Sequence, residues 1–493
     1  MSIAAAFKDQ EIFVTGGTGF VGKALIEKLL RSCYTLGKIY VLIRPKKGVA
    51  IEQRLEALLN CKLFERLRRE QPQTLAKVVP IVGDVMQLGL GISEADLARL
   101  RNVNIVYHSA ASVRFDDPLR SAILMNTRGT HELIKLALQW KKLKAFVHVS
   151  TTYSNPTELE VEERIYPPYA DWRTTIKLAE TYDEETLNVF NLKYGSFQPN
   201  TYTFTKSLAE HVANDYKDQL PIFIYRPSIV ISTIEEPVPG WADNFNGPTG
   251  MLVACGVGIL RSQNCDPYIV ADFVPADVVV RGLIIAAYKY LKQAPAKGKP
   301  IDVINCATAN ISPITMGQVI DIGKRYIRQN PFEQTLWLPG GGITLCPVLH
   351  FVRFITMHIM MAIVVDTLLR LTNEKPFLLK LQRRIFAAFR AVQVFATTEW
   401  HFENENFKAL HAAVPEDEIT VFGFLQHSNI NYVDFFQNGI RGAKEYLMNE
   451  SPESSSKARL RIKIFYVLDY LCRAIVYGFL IRLIYRLALR IFF

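Results

Sequence analysis

The sequence predicts an α/β protein, with a doubly wound parallel sheet followed by a smaller helical domain and a hydrophobic, basic tail. The first observation is that short β-rich runs alternate with helical stretches from residue 11 to about residue 310. The second is a glycine-rich turn at residues 16–22, between the first apolar run and the first helical stretch. The third is a helical segment that begins near residue 344 and runs to about residue 450.

Short apolar runs predict the strands, and amphipathic stretches between them predict the helices. After a first run at residues 12–14, the strand candidates are 39–43, 78–82, 105–108, 145–149, 222–225 and 302–305. The helix candidates are 20–30, 51–66, 119–140, 203–217, 277–291 and 315–328. Because parallel strands need crossover connections, this alternation predicts helices on both faces of one sheet.

Three glycines follow the first apolar run, at Gly16, Gly19 and Gly22, with the spacing G-x-x-G-x-x-G. In a Rossmann-like sheet the first permits a tight turn and the second lets the backbone approach a pyrophosphate. The third lets the helix pack closely on the strand. The N-terminus of that helix then faces the anion. The pattern therefore predicts a Rossmann-like, dinucleotide-binding domain rather than an ordinary glycine-rich turn.

The end of the second strand indicates which dinucleotide is bound. NAD sites usually carry an acid there for the ribose hydroxyls, whereas a base accepts the 2′-phosphate of NADP. Arg44 stands at this position and no acid lies near it in the sequence, so NADPH is the predicted cofactor. Asp84 and Val85, after the third strand, are candidates for an adenine contact, although Gly-Asp is also a common turn.

Tyr202 and Lys206 are the predicted proton-transfer pair. Four residues along a helix place the phenol and the ammonium on one face. The lysine charge is expected to lower the tyrosine pKa from about 10 towards neutrality, which would make the phenol a usable acid. Two other Tyr-x-x-x-Lys patterns begin at Tyr34 and Tyr288. Neither is expected to face a cofactor bound at residues 16–22, because one precedes the second strand and the other closes a helix.

A hydroxyl group should polarise the substrate carbonyl. Ser150 and Thr151 follow the strand candidate 145–149, at the edge where open α/β sheets place their ligands. Thr151 is the predicted donor and Ser150 the second choice, while either residue could instead cap a turn.

Residues 154–200 interrupt the alternation with four prolines and an excess of acids. We interpret them as an insertion that covers the active-site side of the sheet, with a solvated surface loop as the alternative. The expected organisation is a nucleotide-binding domain at 1–330, a linker over 330–342 and a helical domain at 344–450. A Ser-rich spacer then leads to a tail at 457–493.

Charge and composition limit the classes of partner and bound ion that the sequence predicts. The net charge is +10, but the basic residues do not form a stripe interleaved with stacking aromatics, so no nucleic-acid partner is expected. The seven cysteines are scattered and the histidines show no ligand spacing, which predicts reduced thiols and no metal. The first residues lack the apolar core of a signal peptide, so the catalytic part is expected to face the cytosol.

Two stretches predict a lipid membrane as a partner. Residues 345–365 are apolar and long enough to span about 30 Å of hydrocarbon, with a buried core helix as the alternative. The tail from Lys457 carries eight bases and one acid, and Arg482, Arg486 and Arg490 recur every four residues. Residues 462–481 could cross a membrane, whereas an amphipathic helix lying in its plane is the alternative.

Several motifs carry a family resemblance, and they are 15–22 (TGGTGFVG), 42–46 (LIRPK), 108–116 (HSAASVRFD), 126–130 (NTRGT), 147–151 (VHVST), 202–206 (YTFTK), 247–251 (GPTGM) and 395–402 (FATTEWHF). They resemble the fatty acyl-CoA reductases, an extended branch of the short-chain dehydrogenase/reductase superfamily. The animal, insect-like form is the most similar. The last motif, with Asn406, resembles the helical C-terminal domain called the male-sterility domain. One departure is Thr152, where the family pattern has alanine.

The resemblance implies a membrane-attached enzyme that reduces long-chain fatty acyl-CoA with NADPH to a primary alcohol and CoA. Tyr202, tuned by Lys206, would protonate the developing oxyanion, and Thr151 would donate a hydrogen bond to it. The predicted cofactor site comprises Thr15, Gly16, Thr18, Gly19, Phe20, Val21, Gly22, Arg44, Asp84, Val85, Ala110, Ser150, Tyr202, Lys206, Pro227 and Ile229.

Two other functions remain as alternatives at this level. One is an extended short-chain reductase that acts on a sterol or a nucleotide sugar, which would share the glycines and the Tyr202–Lys206 pair. The other is a non-catalytic lipid-surface binding protein of the same fold. For the location, the resemblance implies the endoplasmic reticulum ahead of the peroxisome.

Overall fold

The structure is a computed structural model, which describes residues 2–194, 198–245, 247–293, 295–425 and 430–492. The strands in these ranges are β1 (Ile12–Thr15), β2 (Ile39–Ile43), β3 (Val78–Val82), β4 (Ile105–His108), β5 (Ala145–Val149), β6 (Glu160–Val161), β7 (Ile222–Pro227), β8 (Ile229–Ile231), β9 (Ser262–Asn264), β10 (Phe273–Pro275), β11 (Val303–Cys306), β12 (Gly342–Thr344) and β13 (His401–Phe402).

Helices alternate with these strands in the first two thirds of the chain and dominate the last third. The first group is α1 (Ile3–Ala6), α2 (Phe20–Ser32), α3 (Ile51–Leu59), α4 (Glu65–Glu70), α5 (Glu94–Arg99), α6 (Leu119–Ala122), α7 (Gly129–Ala137), α8 (Trp172–Thr181), α9 (Glu184–Tyr194), α10 (Thr201–Asp215), α11 (Gly247–Gly256), α12 (Ala276–Lys292) and α13 (Met316–Gln329). The second group is α14 (Pro347–Phe354), α15 (Met360–Leu371), α16 (Leu378–Thr397), α17 (Glu405–Ala412), α18 (Ile419–Phe422), α19 (Tyr432–Gly442) and α20 (Ser456–Phe492).

In the described ranges, a seven-stranded sheet has the order β3-β2-β1-β4-β5-β7-β11. All of its strand pairs are parallel, which confirms the predicted doubly wound sheet. The strand order reverses between β1 and β4, where Thr15 stands beside His108. In open α/β sheets a ligand binds in the crevice at this point, outside the carboxyl ends of the strands.

The sheet is buried on both faces because successive side chains point to opposite sides. Val14 and Val147 belong to one apolar cluster, together with α2 and α12. Phe13 and Phe146 belong to a second cluster on the other face, together with α7 and α10. The carboxyl edge is therefore the part of the sheet that remains free for a ligand.

The helix boundaries differ from the predicted ones where side chains compete for the backbone. The predicted helix 119–140 contains π-helical turns at Ile123–Arg128, where Asn126 Nδ2 donates to Thr205 Oγ1 at 2.9 Å. The predicted helix 51–66 is divided after Leu59, and Arg68 donates to the carbonyl oxygen of that residue at 2.6 Å. The helix predicted at 203–217 begins at Thr201, after Asn200 accepts from the Thr203 amide at 2.9 Å.

The C-terminal helical part contacts the insertion. Residues 154–200 contain β6, and β6 pairs in parallel with β13, so that Phe402 lies opposite Val161. Trp400 Nε1 donates to the carbonyl oxygen of Pro156 at 3.2 Å. The predicted linker is also packed, since Lys444 Nζ donates to the Pro331 carbonyl oxygen at 3.1 Å.

Within the described residues, one helical stretch, Pro347–Leu371, is long and apolar enough to cross a membrane by length and composition. Its mean hydropathy is 2.0, and only 17% of its apolar 18-residue segment is buried against the rest of the protein. The structure therefore does not place this stretch in a protein core. The tail helix α20 is tied to the body of the protein at Arg461 and Asp469. Arg461 donates to the Glu333 carbonyl oxygen at 2.6 Å, and Asp469 Oδ1 accepts from Arg261 at 2.8 Å and from Trp337 Nε1 at 3.0 Å.

Candidate active site

The glycine turn between β1 and α2 has the geometry of a phosphate cradle. Gly16 has a φ of +73°, and a Cβ atom on it would lie 2.6 Å from the Ala110 amide nitrogen. A Cβ atom on Gly22 would lie 2.3 Å from the Gly16 carbonyl oxygen. Gly19 is the exposed N-cap of α2, and among the described residues no side chain caps it. The first amides of α2 are thus available to an anion, and this cradle fits a dinucleotide pyrophosphate.

The rest of the predicted turn residues lie around this cradle. Thr18, Phe20 and Val21 are half-buried at the start of α2. Thr15 is buried below them, and its Oγ1 accepts from the Ala110 amide at 3.3 Å. The ring of Phe20 stacks on Trp241, with the centroids 5.0 Å apart.

His108 holds the two central strands together at the crevice. Thr15 Oγ1 and His108 Nδ1 are 2.7 Å apart, and His108 Nε2 is 2.9 Å from Thr130 Oγ1. Burial lowers the pKa of His108 to about 3, so the ring is neutral. Because Thr130 Oγ1 donates to the Asn126 carbonyl oxygen, it accepts from His108 Nε2–H, and Thr15 then donates to Nδ1. This series of hydrogen bonds fixes the position of Ala110, whose amide donates to Thr15.

Arg44 and Asp84 follow the strands on the cofactor's predicted adenosine side. Arg44 is exposed directly after β2, and its carbonyl oxygen accepts a hydrogen bond from Arg54. Asp84 lies two residues after β3, and its Oδ1 accepts from the Met86 amide at 3.0 Å. Val85 is buried, and its carbonyl oxygen lies 2.9 Å from where Gly129 would carry a Cβ atom.

The predicted catalytic residues lie together at the carboxyl end of β5. Tyr202 is in the first turn of α10, and Lys206 lies one turn later. Lys206 Nζ donates to the Val149 carbonyl oxygen at 2.6 Å, which ties α10 to the last residue of β5. The Thr151 hydroxyl forms a hydrogen bond with the Tyr202 phenol.

The expectation that Lys206 lowers the tyrosine pKa was wrong. Burial raises the pKa of Tyr202 to about 12; the hydrogen bond with Thr151 opposes this rise, and the Glu210 carboxylate adds to it. Burial also lowers the pKa of Lys206 to about 8, which Glu210 opposes. The reason is that desolvation disfavours both charged forms, while Lys206 Nζ is directed at a carbonyl oxygen. At neutral pH the phenol therefore holds its proton and is an acid.

Sequence reasoning missed a buried ion pair behind these residues. Arg226, which has no exposed surface, donates to Glu210 from Nε at 2.8 Å and from Nη2 at 2.6 Å. Arg226 also donates to the carbonyl oxygens of Glu162 and Arg164, at 3.2 and 3.0 Å. A signal was present, because Glu210 lies four residues after Lys206 and Arg226 follows the apolar run at 222–225.

The two hydroxyls that follow β5 have different partners. Ser150 Oγ donates to Glu210 Oε1 at 2.5 Å, so its proton is engaged away from Tyr202. Thr151 is the hydroxyl beside the phenol. Thr152, the departure from the family pattern, is fully buried, and its hydroxyl has no hydrogen-bond partner in the described part of the chain.

The remaining candidates are placed as follows. Pro227 ends β7 at the carboxyl edge of the sheet, and Ile229 begins β8 just past that edge. Tyr34 is 53% exposed, after α2, whereas Tyr288 is buried within α12. Neither of these tyrosines belongs to the crevice at Tyr202. In the residues described, no group of three or more His, Cys, Asp or Glu side chains is arranged to hold a metal ion.

Two solved structures share this fold over most of both chains. The reductase domain of a non-ribosomal peptide synthetase from Mycobacterium tuberculosis has a TM-score of 0.60 and 18% identity, over 91% of this chain and 95% of that one. The terminal R domain of the myxalamid PKS-NRPS pathway has a TM-score of 0.57 and 17% identity, over 90% and 93%. At such identities the likeness concerns the fold alone. The fold and the glycine cradle define the class of this protein as a Rossmann-like, dinucleotide-binding α/β protein.

Sequence comparisons then show the family. Two family profiles, both described as male sterility protein, match residues 14–283 and 357–450, the first of them an NAD-binding profile. Fatty acyl-CoA reductase 1 of Xenopus laevis is 36% identical over 93% of this chain and 88% of that protein. Fatty acyl-CoA reductase 1 of Homo sapiens is 36% identical over the same shares, and fatty acyl-CoA reductase 2 of Bos taurus is 35% identical over 95% and 90%. This chain belongs to the fatty acyl-CoA reductase family.

Proposed function

We propose that this chain reduces long-chain fatty acyl-CoA to a primary alcohol and free CoA, with two molecules of NADPH, at a membrane surface. The observation that carries the proposal is the position of Tyr202 at the carboxyl end of β5 beside the Thr151 hydroxyl, where burial raises the pKa of the phenol to about 12. Reduction of a carbonyl by hydride needs such an acid beside the developing oxyanion. The names of the relatives supply the substrate class.

Each of the two reductions uses the same residues. The nicotinamide supplies a hydride to the carbonyl carbon when the cofactor is bound. Tyr202 gives its proton to the carbonyl oxygen, while the Thr151 hydroxyl stabilises the charge that develops there. Lys206 donates to the Val149 carbonyl oxygen and thereby holds α10, with Tyr202, against the end of β5. After the first reduction the hemithioacetal releases CoA as its thiol and leaves an aldehyde, and the second reduction gives the alcohol.

The choice of NADPH rests on Arg44. It is an exposed cation directly after β2, where a 2′-phosphate lies in Rossmann folds, and the next charged residues in the chain are Lys46 and Lys47. An ionised phosphate forms strong, bidentate hydrogen bonds with a guanidinium group.

Membrane attachment rests on the exposed apolar surface of Pro347–Leu371. Val348 and Leu371 are 71% and 76% exposed there, which is unfavourable in water unless lipid covers them. We propose that this stretch and the tail 457–493 attach the protein, with the catalytic domain facing the cytosol. We also propose the division into a reductase domain at 1–330, a helical domain at 344–450 and the tail.

The decisive experiment is an assay of the purified full chain with hexadecanoyl-CoA. We expect two NADPH consumed and one CoA thiol released for each hexadecanol formed, measured by absorbance, thiol titration and gas chromatography. NADH should support a slower reaction. Binding of NADPH without its consumption in the presence of acyl-CoA would contradict the proposal and favour a non-catalytic protein of this fold.

A further inference from the structure

Phe115 connects the catalytic phenol to the C-terminal helical part. Its ring makes an edge contact with the ring of Tyr202, with the centroids 5.6 Å apart and the planes at 62°. Its other neighbour is Phe395, on which it stacks with centroids 5.5 Å apart and planes at 25°. Phe115 follows β4 at the carboxyl edge of the sheet, whereas Phe395 lies in the last turn of α16. The two parts of the chain therefore meet beside the reacting position.

The Phe115–Phe395 pair rests on a fixed aromatic base. Tyr153 makes edge contacts with Phe395 and Trp400, at centroid distances of 5.0 and 5.4 Å, and with Phe402 at 5.2 Å. Tyr153, Trp400 and Phe402 are buried; the pairing of β13 with β6 holds Phe402, and the hydrogen bond to the Pro156 carbonyl oxygen holds Trp400. Phe115 and Phe395, by contrast, are only half-buried. They are the accessible members of the cluster.

The chemistry of this surface suits an apolar chain. Neither phenylalanine has an ionisable proton or a hydrogen-bonding group, so neither can take part in the proton transfer. Val113, close to Phe115 in the same loop, is also exposed. The whole of α16 is 20 residues or about 30 Å long, and between its start and Phe395 it carries exposed Phe386 and Val394. Half-buried aromatic rings next to a polar catalytic group match the usual lining of a pocket for a hydrophobic ligand.

We propose that Phe115 and Phe395 form an alkyl-chain subsite, in which Phe115 contacts the first methylene groups of the acyl chain beside Tyr202 and Phe395 contacts methylene groups farther along the chain. The C-terminal helical part thus completes the active site and sets the preference for long chains. This inference rests on the proposed function and adds the residues that recognise the alkyl chain.

The test is the Phe395→Ala variant of the full chain, assayed in detergent with hexadecanoyl-CoA and hexanoyl-CoA. We expect kcat/KM for hexadecanoyl-CoA to fall about tenfold, mainly through a higher KM, and that for hexanoyl-CoA to change less than about twofold. Phe377→Ala is the matched control, because Phe377 is 46% exposed in the same helical part and should leave both values unchanged.

Equal losses for both chain lengths would overturn the subsite and indicate a packing role only, and unchanged kinetics would do the same. If Phe395→Ala does not fold, Phe395→Leu keeps an apolar side chain without the stacked ring, and the same chain-length dependence is expected. Calorimetric binding of hexadecanoyl-CoA without NADPH separates the two proposals. A wild type that binds the thioester more tightly than Phe395→Ala but does not reduce it would overturn the proposed function and leave the subsite standing.

Discussion

Ser150 Oγ lies 2.5 Å from Glu210 Oε1, and this hydrogen bond joins the carboxyl end of β5 to the middle of α10. The same carboxylate holds the buried guanidinium of Arg226. Because Tyr202 and Lys206 lie on α10 and Thr151 follows Ser150, this contact sets the distance between the phenol and its neighbouring hydroxyl. Glu210 is therefore a positioning residue for the site.

Replacement of Tyr202 tests the proton donor. We expect Tyr202→Phe to lower kcat with hexadecanoyl-CoA by at least about a hundredfold, the usual range for loss of a general acid. NADPH binding, measured by fluorescence, should be retained because the cradle at Gly16 is untouched. Tyr34→Phe, at an exposed tyrosine away from the crevice, is the control and should be fully active. A fully active Tyr202→Phe would exclude this phenol as the acid.

Replacement of Glu210 tests the buried pair. In Glu210→Gln the charge of Arg226 has no buried counter-ion, and we expect the free energy of unfolding to fall by about 3 kcal/mol in urea titrations. Glu210→Gln with Arg226→Met removes both charges and should recover much of that loss. A Glu210→Gln variant that is as stable as the wild type would contradict the stabilising role of the Glu210–Arg226 ion pair.

The same variant has an expected effect on the pH profile. Lys206 has a pKa of about 8, lowered by burial, and its ammonium form holds α10 to the Val149 carbonyl oxygen and so positions Tyr202. We therefore expect kcat/KM to fall as the pH rises through about 8. Glu210 raises the pKa of Lys206, and its neutralisation should move this alkaline limb to lower pH. The double variant should show the same shift although its stability is restored. An alkaline limb that does not move would indicate that Lys206 does not control it.

Arg44 is the test of cofactor choice. Loss of a charge-assisted hydrogen bond to phosphate is worth about 1.5–3 kcal/mol, so Arg44→Ala should raise KM for NADPH roughly tenfold to a hundredfold. KM for NADH should not change, because NADH has no 2′-phosphate. Arg101→Ala, at an exposed arginine before β4 on the opposite edge of the sheet, is the control. A parallel rise in KM for both cofactors would point to a general effect on folding.

Replacement of Thr152, unlike the replacements above, is not expected to reduce stability or activity. Its buried hydroxyl has no partner among the described residues, and a buried, unsatisfied hydroxyl costs about 1 kcal/mol or more. We expect Thr152→Ala to be at least as stable as the wild type in urea titrations, with unchanged kcat. The neighbouring Thr151→Ala should instead lose activity. A destabilised Thr152→Ala would show that the hydroxyl has a partner, such as a bound water.

The exposed apolar helices predict lipid binding. We expect Val348→Asp with Val364→Asp to reduce flotation with phosphatidylcholine–phosphatidylserine vesicles, because both side chains are exposed within Pro347–Leu371 and charges resist burial in lipid. Leu88→Asp, at an exposed leucine near β3, is the control and should float like the wild type. Unchanged flotation of the double variant would assign attachment to the tail alone.

Local sequence determined the sheet and the glycine turn. The strands from β1 to β5 begin and end close to the predicted limits, because apolar runs bounded by polar residues encode burial over four or five positions. Glycine is required at positions 16 and 22 because a Cβ atom there would collide with backbone atoms of Ala110 and Gly16, which lie just after two predicted strands. Tyr202 and Lys206 share a helix face, so their spacing alone brings them together.

Tertiary structure decided everything that depends on neighbours distant in the chain. The pKa of Tyr202 lies above its usual value because desolvation by the surrounding residues outweighs the expected influence of Lys206, and burial cannot be read from four residues of sequence. The partner of Ser150 is 60 positions away, and Phe395 reaches Phe115 across 280 positions. Periodicity records which side of a strand or helix is buried, whereas only the packed chain shows what lies against it.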